Sequence, residues 1–272
     1  MPFPHKTVLL TGATAGIGRA LAERMIENGV FVIAVGRRKE RLLELEQKYG
    51  SDKCAAEEFD VTNLEALPAW AEKITKAHPT LSSIILNAGI QRTLDFANPS
   101  YPEISTKVTS ELTTNYTSPL LTITAFLPHL TALSPSPASI ILVTSGLAIV
   151  PLPRCANYCA TKAALHSLAW SLRAQLAGAG ASHLRVVEIL PPAVQTELHA
   201  LQPELVAVGQ ADIGMPLGAF VDETWEALER WDEKEDEIMV KEVRGNWGHV
   251  EDARRVAFGQ LQERMKAMKA KA

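Results

Sequence analysis

Short β-branched and apolar runs alternate with longer helical patterns along most of this chain. That alternation restricts the fold more than any other feature of the sequence. Runs at 7–11, 30–35, 54–59, 83–86, 139–144 and 185–190 read as strands, and 16–28, 39–49, 64–78, 104–130 and 156–177 carry helical periodicity. A strand–helix–strand order predicts right-handed crossovers and a parallel sheet covered on both faces. Near-continuous apolar stretches such as Ile84-Ile85-Leu86 and Ile140-Ile141-Leu142-Val143 suit strands buried on both sides. A chain of 272 residues can bury most of its apolar surface without a metal or disulfide staple. No internal repeat or long linker divides it, so one α/β domain is expected.

Beyond Leu190 the pattern loosens. Pro191-Pro192 interrupts it, and 209–218 is rich in glycine and apolar residues without a clear period. Residues 197–222 are expected to form a substrate-side loop or lid, the kind of segment that carries specificity. Helical signals return at 221–231, and 237–243 alternates as a last strand would. The segment 249–269 reads as an amphipathic C-terminal helix ending in lysines, as the helix dipole favours. The acidic stretch 232–237 reads as a solvated helix end and turn.

Glycines at 12, 16 and 18 follow the first strand, in the run Thr11-Gly12-Ala13-Thr14-Ala15-Gly16-Ile17-Gly18. Such glycines let the backbone turn sharply and approach a pyrophosphate with no Cβ in the way. The helix that opens at Ile17 would aim free N–H groups and a partial positive charge at the phosphates. A ligand-free tight turn is the plain alternative, and the strand before and helix after weigh against it. The second strand ends in Val35-Gly36-Arg37-Arg38, with no carboxylate to accept hydrogen bonds from an adenosine ribose. Arg37 and Arg38 suit a 2′-phosphate, which predicts NADP(H) in preference to NAD(H). Asp60-Val61 closes the third strand, where it could hold the adenine amino group, and Asn87-Ala88-Gly89 closes the fourth. Both fall at carboxyl ends of strands, where open parallel sheets bind ligands.

Tyr158 and Lys162 lie one helical turn apart, and Ser145 ends the fifth strand upstream of them. A tyrosine is a poor base at neutral pH, because its ordinary pKa is about 10. A nearby ammonium favours the phenolate. Ser145 could hydrogen-bond a substrate oxygen and hold it beside the phenol. Asn115, within the long helical segment, could anchor a water leading from Lys162 to solvent. A Tyr-x-x-x-Lys pair alone describes many surface helices. The upstream serine and the glycine loop in the same chain set this pair apart.

The formal net charge is −4, so no basic field exists to draw in nucleic acid or anionic lipid. No run is long and apolar enough for a secretory leader or a membrane span, and a cytoplasmic protein is expected. Cys54, Cys155 and Cys159 cannot all pair and lack zinc-ligand spacing, so free thiols are expected. Cys159, beside Tyr158, is expected within reach of alkylating agents.

At these residues the chain resembles the short-chain dehydrogenase/reductase family, of its core type. The matching features are the T-G-x-x-x-G-x-G loop, Asp60, Asn87-Ala88-Gly89, Asn115, Ser145, Tyr158 and Lys162, in order and spacing. Asn87-Ala88-Gly89-Ile90-Gln91, Pro192-Ala193-Val194-Gln195-Thr196-Glu197-Leu198 and Gly214-Met215-Pro216-Leu217 resemble the DltE-like branch of that family. The resemblance implies a Rossmann-type doubly wound parallel sheet of about seven strands with helices on both faces. It also implies a carbonyl reductase or alcohol dehydrogenase using NADP(H) on a small-molecule substrate. Tyr158 would exchange a proton with the carbonyl oxygen, and Lys162 would bind the nicotinamide ribose and lower the tyrosine pKa. Ser145 would polarise the carbonyl, and Asn115 would support the proton relay. The cofactor set would comprise Gly12, Thr14, Ala15, Gly16, Ile17, Gly18, Arg37, Arg38, Asp60, Val61, Asn87, Ala88, Gly89, Tyr158 and Lys162, with Pro191, Val194 and Thr196 at the nicotinamide.

Two departures from the family pattern bear on shape. Pro192 stands where glycine is usual, which would stiffen the backbone at the nicotinamide. Arg244-Gly245-Asn246-Trp247 and a helix follow the last strand in place of a short glycine-rich ending. A homodimer through the fourth and fifth helices is therefore expected, with a tetramer as the alternative. Leu147, Ile149, Val150, Pro153, Pro192 and Leu198 would supply an apolar pocket, with a place in the core as the alternative for some of them. A cofactor-binding regulator on the same fold is the competing reading, and degenerate catalytic residues would favour it. Here all four are present.

Overall fold

The computed structural model describes residues 3–231 and 235–269. Its centre is one parallel sheet of seven strands in the order β3-β2-β1-β4-β5-β6-β7. In chain order these are β1 (Thr7–Thr11), β2 (Phe31–Gly36), β3 (Cys54–Glu58), β4 (Ser83–Leu86), β5 (Ala138–Val143), β6 (Leu184–Leu190) and β7 (Glu237–Met239). The crossovers are α1 (Gly16–Glu27), α2 (Lys39–Tyr49), α3 (Leu67–Ala77), α4 (Tyr101–Leu112), α5 (Ser118–Ala132) and α6 (Ala156–Gly178). After β6 come α7 (Glu197–Ala200), α8 (Pro203–Ala207), α9 (Leu217–Glu229) and, beyond β7, α10 (Lys241–Lys269). This is the doubly wound Rossmann-type sheet expected from the alternation. Among the described residues no helix is long and apolar enough to cross a membrane.

Side chains of a strand point alternately to opposite faces, so a strand buried on both sides divides its apolar residues between two cores. Val8 and Leu10 join Val32, Ala34, Ile141 and Val143 in a core closed by Met25 of α1 and Phe220 and Trp225 of α9. Leu9 joins Ile33, Val35, Ile140 and Leu142 in a second core closed by Trp70 of α3, Phe126 of α5 and Leu165 of α6. The sequence order of the sheet reverses between β1 and β4, which pair directly. At such a switch point the loops leaving the strands diverge and open a crevice at their carboxyl ends.

Strand ends shift from expectation by a residue, and three differences are larger. The helical segment at 104–130 is two helices, α4 and α5, joined by a π-helical turn at Thr113–Thr117. The alternating stretch 237–243 is strand only over Glu237–Met239, because β7 is an edge strand whose one neighbour, β6, ends opposite it at Leu190. Lys241 therefore opens α10, and Arg244, Gly245, Asn246 and Trp247 lie inside that helix and not before it. The 197–222 segment carries α7, α8 and the start of α9, and is pinned at its neck where Val194 pairs with Met215. Of the acidic stretch 232–237, residues 232–234 lie outside the described residues, while Asp236 and Glu237 pair with Arg185 and Arg173.

Candidate active site

The glycine loop runs from the end of β1 into α1. Gly12 adopts φ +73, and a Cβ there would sit 2.8 Å from Asn87 Nδ2. Gly18 is still tighter, since a Cβ on it would run into the Gly12 carbonyl oxygen and Asn87 Nδ2. Thr11 Oγ1 accepts the N–H groups of Asn87 (3.1 Å) and Ala88 (3.2 Å), and Asn87 Nδ2 donates to Thr11 O at 3.1 Å. The loops after β1 and β4 are thus stitched together along the crevice. Ala15 precedes α1 in extended conformation, with no side chain capping the helix and no acid in its first turn. The free N–H groups at Gly16, Ile17 and Gly18 are left for an anion.

The two adjacent arginines diverge. Arg37 is largely exposed, with Nη1 3.8 Å from Asp60 Oδ2. Arg38 donates from Nε to Thr14 Oγ1 at 3.0 Å and from Nη1 to Glu197 Oε2 at 2.7 Å. Its companion is Arg41, in the first turn of α2, which donates to Glu197 Oε1 at 2.5 Å and to Thr14 O at 3.3 Å. Hydrogen bonds from Arg38 and Arg41 hold the Glu197 carboxyl below the usual carboxylate range. A pair of guanidinium groups therefore gathers one carboxylate beside the end of β2. Arg41 was not singled out in the sequence, where it reads as an ordinary charge of a surface helix. Asp60 accepts from the Thr62 N–H (2.9 Å) and hydroxyl (2.8 Å) on one oxygen, and Val61 is half-buried beside it.

The residues expected to carry acid–base chemistry meet at the carboxyl ends of β4, β5 and β6. Ser145 leaves β5 in extended conformation, and its Oγ accepts the Leu147 N–H at 3.1 Å. Gly146 N–H donates to Pro191 O at 2.8 Å, which joins this turn to the Pro191-Pro192 bend after β6. Tyr158 and Lys162 lie on one face of α6, with Lys162 Nζ 5.7 Å from the phenol ring centre and donating to Val143 O at 2.8 Å. Burial pushes the Tyr158 phenol above its ordinary value, with a hydrogen bond from Ser145 opposing it. Burial also brings Lys162 down to about 8, against the charge of Glu188. Desolvation therefore raises the tyrosine where a lowering by its lysine was expected, and the opposing contribution comes from Ser145.

Asn115 sits without exposure in the π turn between α4 and α5. Such turns widen a helix locally and recur at functional positions. Its Oδ1 accepts the Ile90 N–H at 2.9 Å, and its Nδ2 donates to Ile90 O at 2.8 Å and to Thr161 Oγ1 at 3.2 Å. A Cβ on Gly89 would lie 3.4 Å from Asn115 Oδ1 and 3.5 Å from Lys162 Nζ, which places the turn after β4 directly on the acid–base group. Thr196 caps α7 by accepting the Leu198 N–H at 3.4 Å, and it overlies the glycine loop, since a Cβ on Gly16 would meet Thr196 Cβ at 3.2 Å. Val194 is buried in the neck of the lid.

The residues present would suit a dinucleotide: glycine backbone would line its pyrophosphate, with the paired guanidinium groups toward one end and Tyr158 and Lys162 toward the other. Of the residues expected to supply an apolar pocket, Ile149 instead packs against the sheet core, and Leu147 packs on Tyr158 and the cysteines. The 197–222 segment is held by polar contacts: Gln202 Nε2 donates to Gln91 Oε1 at 2.8 Å, and Arg154 Nη1 donates to Gln202 Oε1 at 2.9 Å. Cys54, Cys155 and Cys159 are free and buried, so Cys159 is not open to alkylation as expected. Among the described residues no cluster could hold a metal ion.

This sheet and this crevice define a dinucleotide-binding oxidoreductase fold, and the model of the short chain dehydrogenase family matches residues 6–204. The chain belongs to that family. It is 35% identical over 268 residues to the uncharacterized oxidoreductase DltE of Bacillus subtilis, covering 97% of this chain and 98% of that protein. It is also 30% identical over 196 residues to a benzil reductase ((S)-benzoin forming) of Saccharomyces cerevisiae, covering 71% of this chain and 73% of the other. Among solved structures it resembles a short chain dehydrogenase from Burkholderia cenocepacia in complex with NADP. There the identity is 27% and the TM-score 0.73, with 96% of this chain and 99% of that one covered.

Proposed function

We propose that the chain interconverts a carbonyl and an alcohol on a small-molecule substrate with NADP(H), using Tyr158 as the general acid and base. The observation that carries this reading is the meeting of Ser145, Tyr158 and Lys162 at the strand ends, beside a crevice lined by glycine backbone. The NADP in the Burkholderia structure and the carbonyl chemistry named for the yeast relative support it.

Gly12, Thr14, Ala15, Gly16, Ile17 and Gly18 would hold the pyrophosphate, and Asp60, Val61, Asn87, Ala88 and Gly89 would line the adenosine and ribose stretch. Arg38, Arg41 and Arg37 would favour a 2′-phosphate and hence NADP(H) over NAD(H). Pro191, Val194, Thr196 and Lys162 would border the nicotinamide. The dinucleotide, when bound, supplies or accepts the hydride. Ser145 Oγ donates a hydrogen bond to the substrate oxygen and fixes it beside Tyr158. The Tyr158 phenol, kept protonated at neutral pH by its burial, gives its proton to that oxygen during reduction and takes it back during oxidation. The Lys162 ammonium stabilises the phenolate left behind. Asn115 holds the turn after β4 in place and offers an anchor for a water that would return the proton from solvent. The homodimer would use α4 and α5, where Leu112 and Leu121 are exposed.

Tyr158→Phe decides the chemistry. With NADPH and a panel of ketones, aldehydes and quinones, it should lose turnover while still binding NADPH by fluorescence titration. Turnover equal to that of the unaltered enzyme overturns the reading.

A further inference from the structure

β6 is buried on both faces, yet it carries a glutamate in its middle, in Val186-Val187-Glu188-Ile189-Leu190. A carboxylate taken out of water costs several kcal/mol unless charge and hydrogen bonds compensate. Glu188 has no exposure at all. Its Oε1 accepts from Thr144 Oγ1 at 2.6 Å, and its two oxygens lie 2.8 and 2.9 Å from His166 Nδ1. The other ring nitrogen, His166 Nε2, stands 3.1 Å from Glu251 Oε1 in α10, and Glu251 is equally buried. That second approach lacks hydrogen-bond geometry, so it is an electrostatic contact that leaves both Glu251 oxygens without hydrogen-bond donors.

An imidazole between two carboxylates is satisfied on both sides only as the imidazolium, since both nitrogens must then face anions. Burial opposes the charge, but Glu188 and Glu251 outweigh it and raise His166 to about 9. The other ionic groups near this cluster are Lys162 and Arg173 of α6, Glu237 of β7, and Arg254 and Arg255 of α10. Arg173 Nη2 is 3.9 Å from Glu188 Oε2 and also pairs with Glu237, which receives Arg255 Nη2 at 2.6 Å. Arg254 Nη1 is 3.7 Å from Glu251 Oε2.

None of the chemistry argued above uses Glu188, His166 or Glu251, but each is one step from a residue that it does use. Thr144 directly precedes Ser145. His166 follows Lys162 by one helical turn on α6, so the two share a face. Lys162 Nζ bonds to Val143 O, the residue before Thr144. Glu188 therefore ties the strand end that bears Ser145 to the helix face that bears Lys162. In charge, Lys162 and His166 are offset by Glu188 and Glu251. We propose that Glu188 is a positioning residue that ties the Ser145 strand end to the helix face bearing Lys162 and sets a buried anion at that face, its own carboxylate being fixed by His166 and, through it, by Glu251 of the C-terminal helix. The inference rests on the roles given above to Tyr158 and Lys162.

The sign of the effect on pH dependence follows from charge. Carbonyl reduction needs Lys162 protonated, so its rate falls on the alkaline side as the ammonium loses its proton. The Glu188 anion delays that loss. In Glu188→Gln, which keeps the shape and the Thr144 hydrogen bond, the alkaline limb of kcat for carbonyl reduction should move to lower pH by about one unit, a tenfold change in the proton affinity of Lys162. Glu251→Gln should move the same limb in the same direction by less, and it decides the matter if Glu188→Gln does not fold. A merely structural role would lower kcat evenly at every pH and leave the limb in place, which overturns the inference. Tyr158→Phe, assayed in parallel, separates the failures. Turnover in that variant brings down both readings, whereas a dead Tyr158→Phe with an unmoved limb brings down this one alone.

Discussion

Asn115 holds the backbone of Ile90 from both sides, accepting its N–H at 2.9 Å and donating to its carbonyl at 2.8 Å. A single amide thereby does for the chain after β4 what a neighbouring strand would do. It keeps the turn at Gly89 against Lys162.

Asn115→Ala removes both hydrogen bonds to Ile90, with the one to Thr161, and leaves half-buried backbone groups without their partner. Each such group costs about 1–3 kcal/mol, so a loss of about 2 kcal/mol or more is expected. Urea unfolding measures it, and kcat should fall in the same variant because the turn beside Lys162 is released. Unchanged stability would mean that water replaces the amide.

Arg38 and Arg41 share the Glu197 carboxylate, so the anion that would favour NADP(H) must compete with a group of the chain itself. Arg38→Ala with Arg41→Ala should weaken NADPH binding by about tenfold or more while leaving NADH little changed, because charge-assisted bonds to a phosphate are lost. Glu197→Gln should do the opposite and tighten NADPH. Replacing Arg37 with Asp and Arg38 with Ala should shift preference toward NAD. Equal effects on both cofactors, read by fluorescence titration, would remove the guanidinium pair from cofactor choice.

Gly18→Ala would drive a methyl group into the Gly12 carbonyl and Asn87. Overpacking of this kind costs about 1–3 kcal/mol. The shift needed to relieve it falls on the loop that lines the crevice. Loss of NADPH binding should therefore exceed what the fall in thermal stability explains, as titration and melting on the same samples would reveal.

Two buried histidines bound the pH range of stability. His5 is brought down to about 3 by burial and then by the charge of Arg185, against an ordinary 6.5. Its folded pKa is depressed, so its contribution is present above 6.5 and is lost as pH falls toward 3. His166 is raised to about 9, so its contribution is complete below 6.5 and is lost as pH rises through 9. Urea midpoints measured across this range should peak near neutrality. His166→Gln should flatten the alkaline decline and leave the acid side alone.

Much of the fold was legible because its signals are local. Val8, Leu9 and Leu10 announce a strand buried on both sides, and Gly12 and Gly18 announce a turn where backbones touch. Residues 237–243 misled because alternation describes a strand only where a neighbour exists to pair with it, and β6 ends at Leu190. The π turn at Asn115 has no local signature. The Arg41–Glu197 contact joins residues 156 positions apart, and its members read separately as surface charges. Glu188 did leave a mark, as a lone acid inside an apolar strand. Its partners His166 and Glu251 come from two other elements, and only their packing reveals what the acid is for.

The neck of the lid is small: Met215 N–H donates to Ala193 O at 2.8 Å, Gln195 N–H donates to Met215 O at 3.0 Å, and Gly214 at φ +106 leaves no room for a side chain against Ala193. Residues 196–213 form a ring closed by that clasp, tied further by Glu197 to Arg38 and Arg41 and by Gln202 to Gln91 and Arg154. Lengthening such a ring is cheap, since each doubling adds only about 0.6 kcal/mol of closure entropy. A change of length in the ring is therefore expected to cost little, while the sheet beneath keeps its register.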